Sequence, residues 1–439
     1  MHSSNKSLTN YLWIGFLSIA IISAYFCFSA TAKTTIDVPI RGDAREYVAY
    51  AHNLKVHGIF SRNLLNSDSE IPPPDAVRSP GYPFFLSFFI SPSHQSIAID
   101  KVAFFQAGLT VMTVIVYMLL FIRFMPYPLA ILAGFVTAIS PHLINASVYL
   151  LTETLFTFLL GAHLLVLEKA VRTKGLYWAI FAGILLGYSL LVRPTTQYLF
   201  IIYLLIIALK FRATFKDNWK IVICLLLPVL IAISSWSIRN VVTTGQASDP
   251  SLMAIFLQNG MYINLMYEDR PESYGYPYTF DPKNDEMQGN IGKVLEITYD
   301  RFTKEPRRYL AWLLIGKPIV FFDWNLTESV GDAFIYAPIY SPYFDNPLFR
   351  ISHQIAQALH PFLMILGVIG AFVAVSQKNK SISAVLLSVV MFYFLLFHMI
   401  GSPFPRYSIP LRPISYGLAF YTLFYCFNWI KTRYTSVKP

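Results

Sequence analysis

A chain of 439 residues with 55% hydrophobic and only 13% charged side chains, at a mean hydropathy of +0.50, carries more apolar surface than a soluble globule can hide. Its formal net charge of +10 gathers in short connections between apolar stretches. There orientation in a membrane and attraction to anionic headgroups account for it, so nucleic-acid binding is excluded. Cys27, Cys224 and Cys426 lie within apolar stretches and read as small buried hydrophobes, not as disulfide partners or metal ligands.

Crossing about 30 Å of hydrocarbon takes about 20 mainly apolar residues. Such stretches recur near 11–32, 98–122, 127–146, 148–168, 176–192, 196–211, 220–238, 353–376, 382–401 and 409–430. They predict an all-α polytopic membrane protein with about ten transmembrane helices. The first is too long for a signal-peptide core and lacks a convincing cleavage site, so it reads as a span. An outer loop at 33–97 follows. Within it Tyr47, Val48, Ala51 and Leu54 recur at helical spacing over Ala44–Phe60, which predicts an amphipathic helix lying flat on the membrane. Pro72, Pro73 and Pro74 then break the chain, and Pro80-Gly81-Tyr82-Pro83 turns it back toward the bilayer. A second long outer loop runs over 240–352. Phe84–Ile90 and Tyr309–Phe322 are too short to cross and read as re-entrant or interfacial helices.

Orientation follows from Lys6, Arg123, Lys169, Arg172, Lys174, Lys210, Arg212, Lys216, Lys220, Lys378, Lys380, Lys431 and Arg433, which all fall on one side and mark it as cytoplasmic, together with both termini. The parity closes only if Tyr309–Phe322 does not span. Long loops of this kind usually carry function. The expected organisation is a seven-span module over 1–240, an extracytoplasmic loop over 241–352 and a three-span module over 353–439.

The candidate chemistry begins with Asp43, a carboxylate at the membrane surface about ten residues past the first span. Asp also caps helices well, and that role for Ala44 onward is compatible with a chemical one. Glu46, one turn on, fits a capping box. A set of cations stands at the outer ends of spans: Arg78, Arg193, Arg239, Lys317, Arg406 and Arg412. Snorkelling to headgroups accounts for any one of them. Together they point to a cavity that holds an anion, because the fork of Arg and the compact charge of Lys both suit phosphate oxygens. Glu153 reads either as a structural partner of one of these arginines or as a second acid of the site. His142 reads as a structural histidine, and Gly316-Lys317-Pro318 lacks the upstream glycine and following hydroxyl of a phosphate loop. No internal repeat and no metal-ligand spacing is present in the sequence.

At these residues the chain resembles a known family. Gly42-Asp43, Tyr47, Ala51, Leu54 and Gly58, followed by Arg78-Ser79-Pro80-Gly81-Tyr82-Pro83, are similar to the first outer loop of superfamily C glycosyltransferases, in the branch of protein mannosyltransferases and lipid A aminoarabinose transferases. Thr152-Glu153, Leu191-Val192-Arg193-Pro194, Trp236-Ser237-Ile238-Arg239-Asn240 and Pro405-Arg406-Tyr407-Ser408 agree in order. The resemblance implies transfer of a sugar from a polyprenyl-phosphate carrier to a glycan, lipid or protein acceptor outside the inner membrane, with inversion. It makes Asp43 the catalytic acid of the site and places Arg193, Arg239, Lys317 and Arg406 loosely as ligands of the carrier phosphate; the residues themselves add Glu153 as a candidate second acid and Arg78, Tyr82 and Tyr407 as candidate substrate-binding residues. No cofactor and no obligatory metal are expected.

The residues suit that chemistry independently of the resemblance. One positioned carboxylate can take the proton of an attacking hydroxyl. Polyprenyl phosphate leaves readily as an anion, so cations serve where a glycosidase uses a general acid. A transporter or flippase of lipid-linked sugars would use the same cations without a base, and a glycan polymerase or ligase is the further alternative. The absence of internal repeats speaks against the transporter.

Overall fold

The computed structural model describes residues 2–63, 72–91, 96–203, 215–326, 331–377 and 381–436. Among them the regular structure is helical, with two isolated bridges, Thr35 to Tyr340 and Ile90 to Ile97. Among the described residues six helices are long and apolar enough to cross a membrane: Trp13–Lys33, Ile99–Phe121, Glu153–Thr173, Trp219–Thr244, Pro347–Ser376 and Ile382–Ile400. Shorter helices at Tyr127–Ala138 and Leu176–Val192, and the final helix Arg412–Ser436, occupy three further expected spans. The chain is an integral, all-α polytopic membrane protein. The expected span at 196–211 lies beyond Tyr203 outside the described residues, as do Lys210, Arg212, Lys378 and Lys380.

Two span boundaries differ from the sequence expectation for one physical reason. The stretch 127–146 breaks into Tyr127–Ala138 and Pro141–Ala146, because Pro141 has no N–H to carry a helix through and takes the first position of a new one. The apolar run from 148 becomes helical only at Glu153. The irregular backbone between is tolerated because buried side chains satisfy it: Gln106 Nε2 donates to the carbonyls of Ser147 at 3.0 Å and Tyr149 at 2.8 Å. This break sets Glu153 at the N-terminal end of a helix inside the protein.

The Asp43–His57 helix follows the expected period, but protein rather than lipid covers its apolar face. Tyr47 and Ala51 are buried in the main core with Tyr82, Phe85 and Leu86 of the Gly81–Ser87 helix. The stretch expected at Tyr309–Phe322 runs from Pro306 to Phe321 with a π-helical segment at Trp312–Gly316, and is not among the helices long enough to span. It packs inward through Trp312, whose indole donates to the Gly260 carbonyl at 3.1 Å. Of the three cysteines only Cys27 is buried. Cys224 is half-buried and Cys426 exposed, which corrects the expectation that all three are interior.

Candidate active site

Asp43 opens its helix, yet its side chain caps nothing. The N-cap position belongs to Gly42, at a φ of 54° that favours glycine, and no side-chain cap bond is made there. The Asp43 carboxylate turns instead to two guanidiniums, accepting from Arg78 Nη2 at 2.7 Å and lying 3.1 Å from Arg406 Nη1. Glu46 does not form a capping box either. Its carboxylate accepts from Arg78 Nε at 2.5 Å, so Arg78 bridges two acids on successive helical turns while lying over the Tyr47 ring.

Arg406 has a second acid as well. Its Nε donates to Glu153 Oε1 at 2.7 Å, and Arg193 Nη1 stands 3.6 Å from the same oxygen. Glu153 is fully buried at the N-terminus of its helix, where unpaired backbone N–H groups favour negative charge. Asp43, Glu46 and Glu153 thus face Arg78, Arg193 and Arg406 in one network, with Arg62 at its edge 4.0 Å from Glu46. Burial alone would raise the Asp43 carboxyl, but Arg406 and Arg78 outweigh it and hold it below the ordinary carboxylate value.

Close backbone packing brings these parts together. A Cβ at Gly81 would lie 2.6 Å from the Leu191 carbonyl carbon, so only glycine lets the loop that carries Arg78 rest on the turn that carries Arg193. Tyr188 fastens the contact by donating to the Gly81 carbonyl at 3.1 Å.

Four of the expected residues have other partners. The Tyr82 hydroxyl is buried and donates to Gln106 Oε1 at 2.9 Å, so it locks the two helices together. Arg239 donates to the carbonyls of Asp75 at 2.7 Å and Phe60 at 3.1 Å, and lies over Trp236; it ties the first outer loop to the Phe215–Thr244 helix. Lys317 donates to the carbonyls of Met399, Ile400 and Gly401 at 2.8, 3.3 and 2.9 Å. These are orphan acceptors at the end of the Ile382–Ile400 helix, so all three ammonium hydrogens are engaged in capping it. Arg412 is fully buried and donates to the carbonyls of Phe322 and Asp323. Tyr407 stays near the acids through Arg193, whose guanidinium carbon is 5.2 Å from its ring centroid. His142 is buried and bonds the Trp324 carbonyl, as its structural reading expects.

Sequence reasoning ranked Glu46 as a capping residue and missed its ion pair; its place one turn after Asp43 was the available signal. Nothing in the local sequence marks His398, whose ring lies 5.2 Å from that of Tyr407.

Residues 77–238 match the family described as dolichyl-phosphate-mannose-protein mannosyltransferase. No curated protein matches the chain. The apo oligosaccharyltransferase of Archaeoglobus fulgidus superposes with a TM-score of 0.53 at 14% identity, over 96% of this chain and 52% of that one. The same organism's oligosaccharyltransferase AglB, in complex with an inhibitory peptide and a dolichol-phosphate, gives 0.50 at 13% identity, over 98% and 52%. ArnT from Cupriavidus metallidurans bound to undecaprenyl phosphate gives 0.49 at 12%, over 94% and 60%. This chain therefore spans about half the length of the oligosaccharyltransferases it matches. At such identities the likeness shows the fold alone, an all-α membrane fold shared with the oligosaccharyltransferase.

Proposed function

We propose that this protein is a polyprenyl-phosphate-sugar-dependent glycosyltransferase that acts at the extracytoplasmic face of the inner membrane. The observation that carries the reading is the carboxylate of Asp43, flanked by Arg78 and Arg406, with Arg406 and Arg193 meeting at buried Glu153. The match to the mannosyltransferase family over 77–238 supports the same class.

In the proposed reaction an acceptor hydroxyl attacks the anomeric carbon and gives its proton to Asp43. The bond from that carbon to the phosphate oxygen breaks, and polyprenyl phosphate departs with the electron pair, leaving the configuration inverted. Arg193 and Arg406 stabilise the charge growing on the phosphate in a partly dry site, so no obligatory metal is needed.

The network adds a step. Because Arg78, Arg193 and Arg406 are already paired without substrate, an incoming phosphate draws a guanidinium away from a carboxylate. Arg406 is the natural one to move, since it stands between Asp43 and Glu153. Its departure returns basicity to Asp43 when the sugar is in place. Glu153 keeps Arg193 and Arg406 oriented and is the second acid of the site. Arg78 holds Asp43 and Glu46 in register, while Arg239 and Lys317 brace the surrounding loops.

The test is transfer by purified protein from a panel of synthetic polyprenyl-phosphate hexoses and pentoses, read by mass spectrometry of the products. It is paired with comparison of surface glycolipids and glycoproteins from cells with and without the gene. A hexose-sized or pentose-sized difference is expected. No difference in either experiment would overturn the reading.

A further inference from the structure

Around Tyr407 lie buried polar atoms that the proposed reaction leaves unused. Glu153 Oε2, His398 Nε2 and Ser402 Oγ have no hydrogen-bond partner among the described residues. Native folds leave few such atoms, and each asks for an explanation. These belong to one neighbourhood: Arg193 is 3.6 Å from Glu153 and lies over the Tyr407 ring, and the His398 ring centroid is 5.2 Å from that of Tyr407.

The His398 ring is fixed. It is 1% exposed, it stacks on Phe321 at 4.8 Å, and its Nδ1 lies 2.8 Å from the Ser402 carbonyl oxygen. A carbonyl can only accept, so Nδ1 carries the hydrogen and donates. In the neutral ring Nε2 is then a bare lone pair of set direction.

The neighbourhood therefore presents two unpaired acceptors, Glu153 Oε2 and His398 Nε2, beside the Arg193 guanidinium that the proposed reaction gives to the phosphate. A phosphate does not suit those two acceptors. It has no hydrogen to give, and the carboxylate and the lone pair would both repel it. Sugar hydroxyls do suit them, since each can donate a hydrogen bond.

We propose that this cluster is the subsite for the hydroxyls of the transferred sugar, and that His398 is a specificity-determining residue that accepts a hydrogen bond from one of them. The proposal rests on the glycosyltransferase reading above and deepens it.

Equilibrium binding separates the two. The full chain in nanodiscs is titrated with a short-chain polyprenyl phosphate, then with the same carrier bearing a hexose or a pentose. His398→Phe keeps the ring shape and the stack on Phe321 but removes the acceptor. It should weaken the best sugar-bearing carrier about three- to tenfold, the worth of one hydrogen bond, and leave the bare carrier unchanged. His398→Gln, which retains an acceptor oxygen, should recover part of the loss. If His398→Phe does not fold, as read by thermal unfolding, His398→Met fills a similar volume without the acceptor and carries the same expectation.

If the wild-type chain binds none of these carriers, the glycosyltransferase reading fails. If it binds the bare carrier as tightly as the sugar-bearing ones, or if the acceptor-free variants lower both alike or neither, the subsite is overturned and the broader reading stands. An effect confined to acceptor binding would give no change here, and so would also overturn it.

Discussion

Arg406 Nε meets Glu153 Oε1 at 2.7 Å across 253 residues of chain. Both groups are buried, so the pair is costly to desolvate and is stable only with both partners present. It joins the turn before the last helix to the break before the Glu153–Thr173 helix, and the other edge of the same guanidinium reaches Asp43. Small movements of that turn therefore reach the Asp43 carboxylate.

Removal of Arg406 or Arg193 should weaken binding of a polyprenyl-phosphate donor by about tenfold or more, since a partly buried anion loses a charge-assisted partner. Lys at position 406 should recover part of this, because charge is kept while the fork is lost. Arg239→Ala and Lys317→Met should behave differently. Their hydrogen bonds go to backbone carbonyls, so the loss should appear as a lower unfolding temperature, with about 1–3 kcal/mol for each set of buried acceptors left unpaired. Isothermal titration and thermal unfolding of the four variants check this. A large loss of donor affinity in a normally stable Lys317→Met protein would restore Lys317 to the site.

The pH dependence follows from the ion pairs of Asp43. Arg406 and Arg78 hold its carboxyl below the ordinary value against the opposing effect of burial. Asp43 is therefore ionised throughout the neutral range, and with Asp43 as the proposed base the acid limb of kcat/KM should lie below the ordinary carboxylate value. Arg78→Ala should move that limb upward, as loss of a close opposite charge does. The sign for stability agrees. A depressed carboxyl stabilises the fold above its unfolded value and loses that contribution as pH falls through the folded one. A pH–rate profile that is unchanged in Arg78→Ala would separate Asp43 from the observed limb.

Topology is open to a direct test. Single cysteines at Lys174 and Ser381 should react with an impermeant maleimide only from the cytoplasmic side, and one at Asn284 only from the other. The expectation rests on the basic connections and on a helix from Pro306 to Phe321 that does not span. Reaction of Asn284 and Ser381 from the same side would show that the spans between them are miscounted.

How far the sequence carried the reading depends on the kind of partner each residue has. Apolar stretches announce spans because lipid imposes length, and Asp43, Arg78, Glu153, Arg193 and Arg406 stand out because charge at the membrane surface is costly. The partners of Arg239 and Lys317 were not legible. They are backbone carbonyls, which every residue carries, and only the fold decides which are left unpaired. The break before Glu153 was hidden for a related reason. Gln106 satisfies that backbone from another helix, and nothing at 147–152 records it. Tyr82 was legible as a conspicuous residue but not as a packed one, because its acceptor, Gln106, is again distant in sequence.

The last prediction concerns Asp43 and separates a transferase from a transporter of the same lipid, since only the transferase needs a base beside the reacting hydroxyl. Asp43→Asn is the informative change. It keeps the size of the side chain and an acceptor oxygen for Arg78, so the protein should express and bind donor much as before. Helix capping does not complicate the result, because the Asp43 side chain makes no cap bond. Loss of the negative charge leaves Arg406 paired with Glu153 alone, which should favour the phosphate-bound arrangement and leave donor affinity equal or slightly higher. Transfer should nonetheless fall by about 10²-fold or more, as when a positioned proton acceptor is removed. Asp43→Glu should also transfer poorly, because one more methylene moves the carboxylate by about an ångström and such misplacement is poorly tolerated. The measurement is single-turnover transfer with donor saturating, so that binding and chemistry are read apart. Full transfer by Asp43→Asn would remove the base from this mechanism and leave Glu153 as the remaining acid, while unaltered carrier movement across vesicles with no transfer by the wild type would favour the transporter.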